Sequence, residues 1–187
     1  MSFFIDYHHD LWGSNFGDMD EPSSYKVLYF PEVEKDEALL IKDFSFLASD
    51  APNFMPVLEN DQELAFDFTL EKQLVALDCY EWEAVFDQYS YDYVEELQYS
   101  DGRSSDDIYD EYGSGSGGHQ IGGYPLFTQT DPRSDRESLR VYDFLLLQLD
   151  SDDYIMWGDC GVANFFINFE KLKQLDFSDV FFNWDCC

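Results

Sequence analysis

The chain has 187 residues, a length that suits one domain or one domain of two unequal lobes. Its 40 Asp and Glu residues against 10 Lys and Arg residues give a formal net charge of −30, which excludes binding through the phosphate backbone of a nucleic acid and argues against docking on an anionic membrane. Aromatic residues form 19% of the chain, so a core can form and global disorder is not expected. The negative field favours a basic protein partner, although acidity can also serve solubility alone.

The first part of the chain contains three candidate strands. Residues 2–7 and 25–30 are apolar and aromatic, and Pro31 stops the second run. Residues 64–70 alternate cleanly, with Leu64, Phe66 and Phe68 on one face of the predicted strand. We therefore expect all three segments to pair in sheets.

The middle of the chain changes to a helical pattern and then to a polar one. Apolar residues recur near the 3.6 spacing over residues 79–88, and a second helix is predicted over residues 91–97. Residues 100–118 are rich in Asp, Ser and Gly and contain a single aliphatic residue, Ile108. This composition predicts a mobile segment that is an exposed loop or a linker between lobes.

The last part of the chain carries the strongest strand patterns. Residues 142–150 form a nearly continuous Leu-rich run that is typical of a strand buried on both faces, and residues 161–167 follow with a second aromatic and β-branched run. Asn168 is a candidate N-cap for a short helix over residues 169–175. Residues 179–184 are predicted to form the final strand.

Four ordered motifs lie in this last part: GGYPLFTQTDPR (122–133), LLLQLDSD (145–152), IMWGDCGVANFFI (155–167) and NWDCC (183–187). On these motifs the chain resembles the YwqG-like family of bacterial proteins, which carries a domain-of-unknown-function label. The resemblance is strong over residues 119–187 and weaker over residues 2–86. Longer relatives have a further segment at the front that nothing in this sequence matches, so we expect a naturally short or trimmed first lobe.

We predict an α+β fold, with a mixed, mainly antiparallel sheet in two related lobes and few short helices. The predicted division is an N-terminal lobe over residues 1–99, a flexible acidic linker over residues 100–118 and a C-terminal lobe over residues 119–187. The two-lobed organisation is what the resemblance implies. A faint internal echo, in which an apolar strand and an acidic turn precede a Trp-Gly pair, fits such a duplication.

Candidate catalytic and metal sites are weak. The GSGSGG run (113–118) is followed by Pro125 and lacks the Lys of a phosphate-binding loop, so we interpret it as a linker. A metal-dependent hydrolase that uses the clustered Asp150, Asp152 and Asp159 together with His119 stays open as an alternative, but these residues do not match an EF-hand. We predict no cofactor and no catalytic residues. The four cysteines are too few for a disulfide scaffold, and reduced thiols are expected.

The candidate binding residues are acidic side chains with tyrosines among them. Such a mixture suits an interface with a basic protein, because the rings supply contact area while the carboxylates complement Lys and Arg. The predicted protein-binding residues are Asp101, Asp106, Asp107, Tyr109, Asp110, Glu111, Tyr112, Asp150, Asp152 and Asp153. The plain alternative is a solvated loop.

The resemblance also suggests a function. YwqG-like proteins occur beside polymorphic toxins, and some are immunity proteins for nuclease toxins, so the resemblance implies an inhibitor that covers the basic cleft of a toxin domain. An acidic structural or interaction module is a further alternative. No charged and apolar leader and no apolar run of the roughly 20 residues of a spanning helix is present, so a cytoplasmic location is expected. The oligomeric state stays open.

Overall fold

In a computed structural model, the structure describes residues 1–6, 11–17, 24–43, 56–57, 64–77, 79–112 and 117–187. These residues form an α+β fold with short helices and two antiparallel sheets, one of two strands and one of three. The predicted fold class and its antiparallel character are therefore confirmed. The division into two lobes with a linker stays a prediction.

The three-stranded sheet is the centre of the fold. Its strands are β3 (Phe144–Asp150), β4 (Val162–Ile167) and β5 (Val180–Asp185), and β4 lies in the middle. β4 is buried along its whole length, as expected for a strand with a neighbour on each side and residues packed on both faces. An irregularity between Leu145 and Leu147 puts an extra residue into β3.

One face of this sheet is covered by the N-terminal residues. The short strands β1 (Ser2–Phe4) and β2 (Lys26–Leu28) form a separate antiparallel pair, and the β2 residue Val27 belongs to the same buried cluster as the sheet residues Phe165 and Phe182. The Trp12 ring lies 4.3 Å from the Trp184 ring, and the Trp184 indole donates a hydrogen bond to the carbonyl of Leu11. Aromatic packing of this kind stabilises the contact beyond its buried area alone.

The opposite face combines an apolar cluster with buried polar side chains. Leu145, Phe166 and Phe181 pack against Phe127 and Leu139. Farther along the same face lie Gln148, Asn164, Asn183 and Asp185, all of them buried.

These polar side chains hold a connecting segment, residues 118–129, against the sheet. Gln148 Oε1 accepts the amide of Leu126 at 2.7 Å, and Asn164 Nδ2 donates to the carbonyl of Leu126 at 2.8 Å. Asp185 Oδ2 accepts the amide of Gln129 at 2.6 Å. The segment thus contacts β3, β4 and β5 in turn. Side chains of the sheet form hydrogen bonds with backbone groups of the segment that would otherwise be buried without partners.

Three helices precede this segment. They are α1 (Glu81–Phe86), α2 (Ser90–Asp101) and α3 (Ser105–Tyr112). They share a small core of their own, in which Trp82, Val94 and Ile108 pack with Leu77. The two predicted helices are confirmed, but the loop or linker predicted over residues 100–118 is wrong at residues 100–101, which end α2, and over α3. The aliphatic side chain of Ile108 is fully buried, and this burial gives α3 its place on α1 and α2.

Short helical segments lead into and out of the central strands. Helix α4 (Pro132–Asp135) and a 3-10 helix (Glu137–Val141) precede β3, and α5 (Phe169–Lys173) follows β4. Asn168 Oδ1 accepts the amides of Glu170 and Lys171, which confirms Asn168 as the N-cap of α5.

The strand predicted over residues 64–70 is absent from the described structure. These residues have no regular secondary structure and lie in no sheet, and of them Leu64 packs against the core. Phe66, Phe68 and Leu70 are exposed. The alternating pattern gives these residues one apolar face, but it does not specify a neighbouring strand. A β-strand needs backbone hydrogen-bond partners outside its own segment, so the pattern alone was not sufficient.

Candidate protein-binding surface

A buried arginine fixes helix α1 to the central sheet. The guanidinium of Arg133 has no exposed surface and donates to Asp131 Oδ2 at 2.7 Å and to Glu81 Oε1 at 2.6 Å. It also lies 4.4 Å from the ring centroid of Phe166 on the sheet. Because Glu81 is the first residue of α1, this ion pair sets the position of the helix.

The contacts of this cluster also determine the pKa of Arg133. Burial alone would lower the pKa of Arg133, but its hydrogen bonds and its attraction to Asp131 and Glu81 hold the pKa above its ordinary value. Asp131 Oδ2 also accepts the amide of Tyr80, the residue before α1. The cluster therefore holds two carboxylates and one guanidinium, and Asp131 also binds the backbone just before α1.

Helix α3 begins with a reciprocal cap. Asp107 N donates to Ser104 Oγ at 3.2 Å, while Ser104 N donates to Asp107 Oδ2 at 3.3 Å. This is the capping box that the sequence Ser-x-x-Asp at 104–107 encodes. Hydrogen bonds from the side chain and backbone of Ser104 hold the pKa of Asp107 below its ordinary value. The motif was the sequence feature that could have identified α3.

The exposed side of helices α1 to α3, which we call the acidic helical surface, carries one sign of charge. Its exposed acidic residues are Glu83, Asp87, Asp92, Glu95, Glu96, Asp101, Asp106, Asp107 and Glu111. Between residues 81 and 112 the sequence has one basic residue, Arg103, and it forms an ion pair with Glu111. Carboxylates on this surface are thus left to complement cations from outside.

Exposed aromatic rings lie among these carboxylates. Tyr89, Tyr91 and Tyr99 are exposed by 64%, 70% and 84%, and Phe86 is about half exposed. Scattered surface rings need no explanation, but rings set in a concentrated field of one charge give a surface both contact area and selectivity. Tyrosine supplies this area at low conformational cost because it has few rotatable bonds.

An open cleft of about 330 Å³ lies beside the end of α1. It is lined by Tyr80, Glu83, Ala84, Asp87, Gln88, Tyr89 and Arg140. Glu83 lies on α1, and Asp87 is the residue that ends it, so both carboxylates are near the C-terminal end of this helix. Arg140 donates to the carbonyls of Arg133 and Ser134 and lies 5.1 Å from the Tyr80 ring centroid.

The structure places the predicted residues of this region differently from one another. Asp101, Asp106, Asp107 and Glu111 are exposed on α2 and α3. Tyr112 is half-buried against Tyr93, and its carbonyl accepts the amide of Leu77, so its ring also serves the small core of the helices. The side chains of Tyr109 and Asp110 lie outside the described part of the structure.

Sequence reasoning missed the part of the surface on α1 and the start of α2. Glu83, Asp87 and Tyr91 were interpreted only as helical residues, and Tyr89 was placed between the two predicted helices. The alternation of exposed carboxylates and tyrosines between residues 83 and 92 was the available indication. No sequence feature indicated that Arg140 contributes to the cleft, because Arg140 is far from Glu83 along the chain and no local pattern joins them.

The second predicted group lies at the end of β3 and in the loop after it, and two of its carboxylates bind backbone amides. Asp150 accepts the amides of Gly118 at 2.7 Å and Ser151 at 2.8 Å. Asp152 Oδ1 accepts the amides of Tyr154 and Ile155 at 2.7 and 2.8 Å. Asp153 is exposed. Of the three, Asp153 is the residue best placed to meet a partner.

Asp152 also pairs with His119, and this pair bears on the hydrolase alternative. His119 Nδ1 accepts the amide of Asp150 at 3.0 Å, so its Nε2 carries the proton and donates to Asp152 Oδ2 at 3.0 Å. Desolvation acts to raise the pKa of Asp152, but the amide of Tyr154 and the bond from His119 lower it overall. With both ring nitrogens engaged, His119 is poorly placed to act as a general base.

A metal site receives no support from the same loop. Within the described ranges, no group of three or more His, Cys, Asp and Glu side chains is arranged to hold a metal ion. Asp150 and Asp152 direct their oxygens at amides, as residues that shape a turn do.

The fold and the surface together define an α+β protein with an acidic, tyrosine-bearing helical layer attached to a small antiparallel sheet. The chain belongs to the family described as Domain of unknown function (DUF1963), whose model matches residues 1–186. No curated protein matches the chain. Among the described residues, no helix has the length and apolar character needed to cross a membrane.

Proposed function

We propose that this protein is an immunity-type inhibitor that binds a basic toxin domain, of the nuclease class, through the acidic helical surface. The observation that carries the proposal is the pairing of one-signed charge with exposed tyrosines on helices fixed to a rigid sheet. The resemblance to YwqG-like proteins, some of which are immunity proteins, supports the choice of partner. A bacterial cytoplasm is the compartment in which such an inhibitor would act.

The proposed inhibition works by occupying the site where the nuclease binds phosphate. A nuclease cleft is lined with cations that bind a polyanion, and a row of fixed carboxylates offers a competing set of negative groups. Because α1 is held by the buried Arg133 cluster, these groups are positioned before the encounter, which lowers the entropic cost of binding.

Within this surface, we assign the cleft beside α1 to a lysine or arginine side chain of the toxin. Glu83 and Asp87 supply negative charge on one side, and the Tyr80 and Tyr89 rings supply walls on which an alkyl stem or guanidinium packs. Arg140 keeps its positive charge, because its Nε and Nη2 donate to neutral backbone carbonyls, so the cleft relies on the two carboxylates of Glu83 and Asp87 to outweigh it.

The first test is capture of a partner from lysate of the source cells at two salt concentrations. We expect a basic protein to be retained at low salt, and its affinity to fall by about tenfold or more between roughly 50 and roughly 300 mM NaCl, because screening weakens attraction between exposed charges. Retention of no basic protein at low salt would contradict the proposal and favour an acidic module without a toxin partner.

The sharper test reverses charge on the proposed surface and, as a control, elsewhere. The triple variant Glu83→Lys, Asp87→Lys and Glu95→Lys places three exposed cations on α1, at its C-terminal end and on α2. We expect it to lose binding and nuclease inhibition by about a hundredfold or more, since like charges then meet across the interface.

The matched control, Glu32→Lys, Asp67→Lys and Asp159→Lys, makes the same change in net charge at exposed positions on other segments. It should weaken association only modestly. Equal losses in the two triple variants would mean that total charge, and not this surface, determines binding. Calorimetry with the captured partner measures both affinities.

A further inference from the structure

A second exposed surface, formed by residues 66–74 and residues 152–154, places apolar side chains beside carboxylates. Phe66 is 47% exposed and Phe68 is 72% exposed, and their ring centroids lie 6.2 Å apart. Leu70 is fully exposed farther along the same segment. Single apolar side chains on a surface need no explanation, but adjoining exposed rings form a contiguous patch, which is the kind of feature that marks an interaction site.

His119 joins this patch to the loop after β3. The Phe66 ring meets the His119 ring edge-on, with the two centroids 5.6 Å apart. His119 donates in turn from Nε2 to Asp152 Oδ2 at 3.0 Å. The exposed Asp152 therefore lies one ring away from Phe66, and the exposed Asp153 follows it in the same loop.

Gln73 holds the patch at its other end. The side-chain amide of Gln73 donates to the carbonyl of Tyr124 at 3.0 Å, and its oxygen accepts the amide of Tyr124 at 2.7 Å. The same amide group donates to Gln120 Oε1 at 3.2 Å. Because the segment is held both at Phe66 and at Gln73, its rings are in place before a partner arrives, which lowers the entropic cost of binding.

The charges around the patch decide which occupant suits it. Glu71, Asp152 and Asp153 supply exposed carboxylates, and Lys72 is the only basic residue in the two segments of sequence. A second copy of the chain would bring like carboxylates together, on molecules that each carry a net charge of −30. An anionic membrane is disfavoured for the same reason. Cations beside apolar side chains complement both parts of the surface.

We propose that this surface, centred on Phe66 and Phe68, binds a protein segment in which apolar side chains lie next to Lys or Arg. The apolar side chains of the partner cover the two rings, and its cations meet the carboxylates of Asp152 and Asp153. A cation above an exposed ring adds a further attraction. The surface uses residues outside the acidic helical surface, so the proposal does not depend on the identity of a toxin.

The test is NMR titration of the isotope-labelled protein with a short peptide of alternating Lys and Phe. We expect saturable shifts at residues 66–70, at His119 and at residues 152–154. A peptide of the same length and charge, with Ser in place of Phe, should bind about tenfold more weakly or worse, because it buries no apolar side chain. A peptide of alternating Glu and Phe should not bind, because its charge is repelled.

A double variant and a matched control locate the binding site. Phe66→Ser with Phe68→Ser should remove the preference for the Lys-Phe peptide over the Lys-Ser peptide. The control, Phe4→Ser with Phe30→Ser, removes two rings that are about half exposed on other segments and should keep that preference. The amide spectra of both variants show whether the fold is retained.

Equal affinity of the wild type for the Lys-Phe and Lys-Ser peptides would overturn the proposal, as would an unchanged preference in the variant of Phe66 and Phe68. Two further measurements test the other occupants. Self-association in sedimentation that requires the same two rings would assign the surface to a second copy, and ring-dependent binding to phosphatidylcholine vesicles would assign it to a membrane. Either result would overturn the proposal while leaving the acidic helical surface untested by it.

Discussion

At the scale of single residues, Arg133 is the side chain on which the placement of the acidic helical surface depends most directly. It joins α1 through Glu81, the turn after residue 130 through Asp131, and the sheet through the Phe166 ring. Removing one partner from such a cluster leaves the remaining charges buried and uncompensated.

We expect Arg133→Ala to lower the free energy of unfolding by about 3–5 kcal/mol. Arg133→Lys should recover only part of this loss, because an ammonium group cannot donate in the forked pattern that Asp131 and Glu81 receive. Urea denaturation measures both changes. The control Arg136→Ala should cost less than about 1 kcal/mol, and an equally small cost at Arg133 would contradict the structural role assigned to it.

Asp185 is a second buried residue with a testable charge. Desolvation raises its pKa above the ordinary value, against the lowering effect of its bonds from Gln129 and Thr128. Its Oδ1 has no hydrogen-bond partner among the described protein atoms. Because the folded state holds this proton more tightly than the unfolded state does, Asp185 favours folding at low pH, and that contribution is lost as pH rises from about 3.9 through the folded-state pKa.

Asp185→Asn should therefore be as stable as the wild type or more stable at pH 7, with a smaller loss of stability between pH 4 and pH 7. Asp185→Ala should cost about 1–3 kcal/mol at either pH, since the amide of Gln129 then lacks its acceptor. Chemical denaturation at a series of pH values distinguishes the two. A marked destabilisation by the Asn substitution at pH 7 would show that the ionised carboxylate is the form the fold requires.

At the scale of elements, the caps determine where helices begin. Asn168→Ala should cost about 1 kcal/mol of stability, because the amides of Glu170 and Lys171 lose their acceptor. Asn168→Asp keeps an acceptor at the same place and should retain most of the stability. Thermal unfolding of the two variants checks this, and equal losses would indicate that the bond from Asn168 Nδ2 to the carbonyl of Val141 matters more than the cap.

The elements also show what local sequence can and cannot predict. The β3, β4 and β5 runs are apolar enough that burial alone selects strands, and Asn168 placed the start of α5 correctly. Residues 64–70 have an equally regular pattern, yet their state depends on a partner strand that the pattern does not specify. Helix α3 was missed because acidic composition was weighed above the Ser104–Asp107 capping box and the one buried aliphatic side chain, Ile108.

The candidate surface was predictable in its chemistry but only in part in its location. Acid and tyrosine content indicated a basic partner, and Asp101, Asp106, Asp107 and Glu111 are indeed exposed. The cleft beside α1 brings Glu83 together with Arg140 from beyond α4, a contact created by tertiary packing. No periodicity within either segment encodes such a meeting.

At the scale of the whole molecule, a net charge of −30 opposes the compact state. Carboxylates on the same small fold repel one another, and dissolved salt shortens the range of this repulsion from about 30 Å at 0.01 M to about 8 Å at 0.15 M. We expect the Tm to rise when NaCl is increased over this interval. Chloride is the appropriate anion, because sulfate also strengthens apolar burial.

The triple variant Glu32→Lys, Asp67→Lys and Asp159→Lys tests the same point without added salt. It reduces the negative charge at exposed positions, so its Tm in dilute buffer should exceed that of the wild type, and the difference should shrink as NaCl is added. Differential scanning calorimetry measures both trends. A Tm that falls with NaCl in the wild type would mean that specific ion pairs outweigh the overall repulsion.

The segment over residues 118–129 has a consequence for how this protein can vary. Its backbone is fastened by side-chain amides and a carboxylate that project from three adjacent strands, each at a fixed height on the sheet. A substitution between these fastening points changes one side chain and leaves the spacing intact. An inserted or deleted residue would move every later carbonyl and amide away from its hydrogen-bond partner on the sheet. This segment should therefore tolerate substitutions far more readily than insertions or deletions.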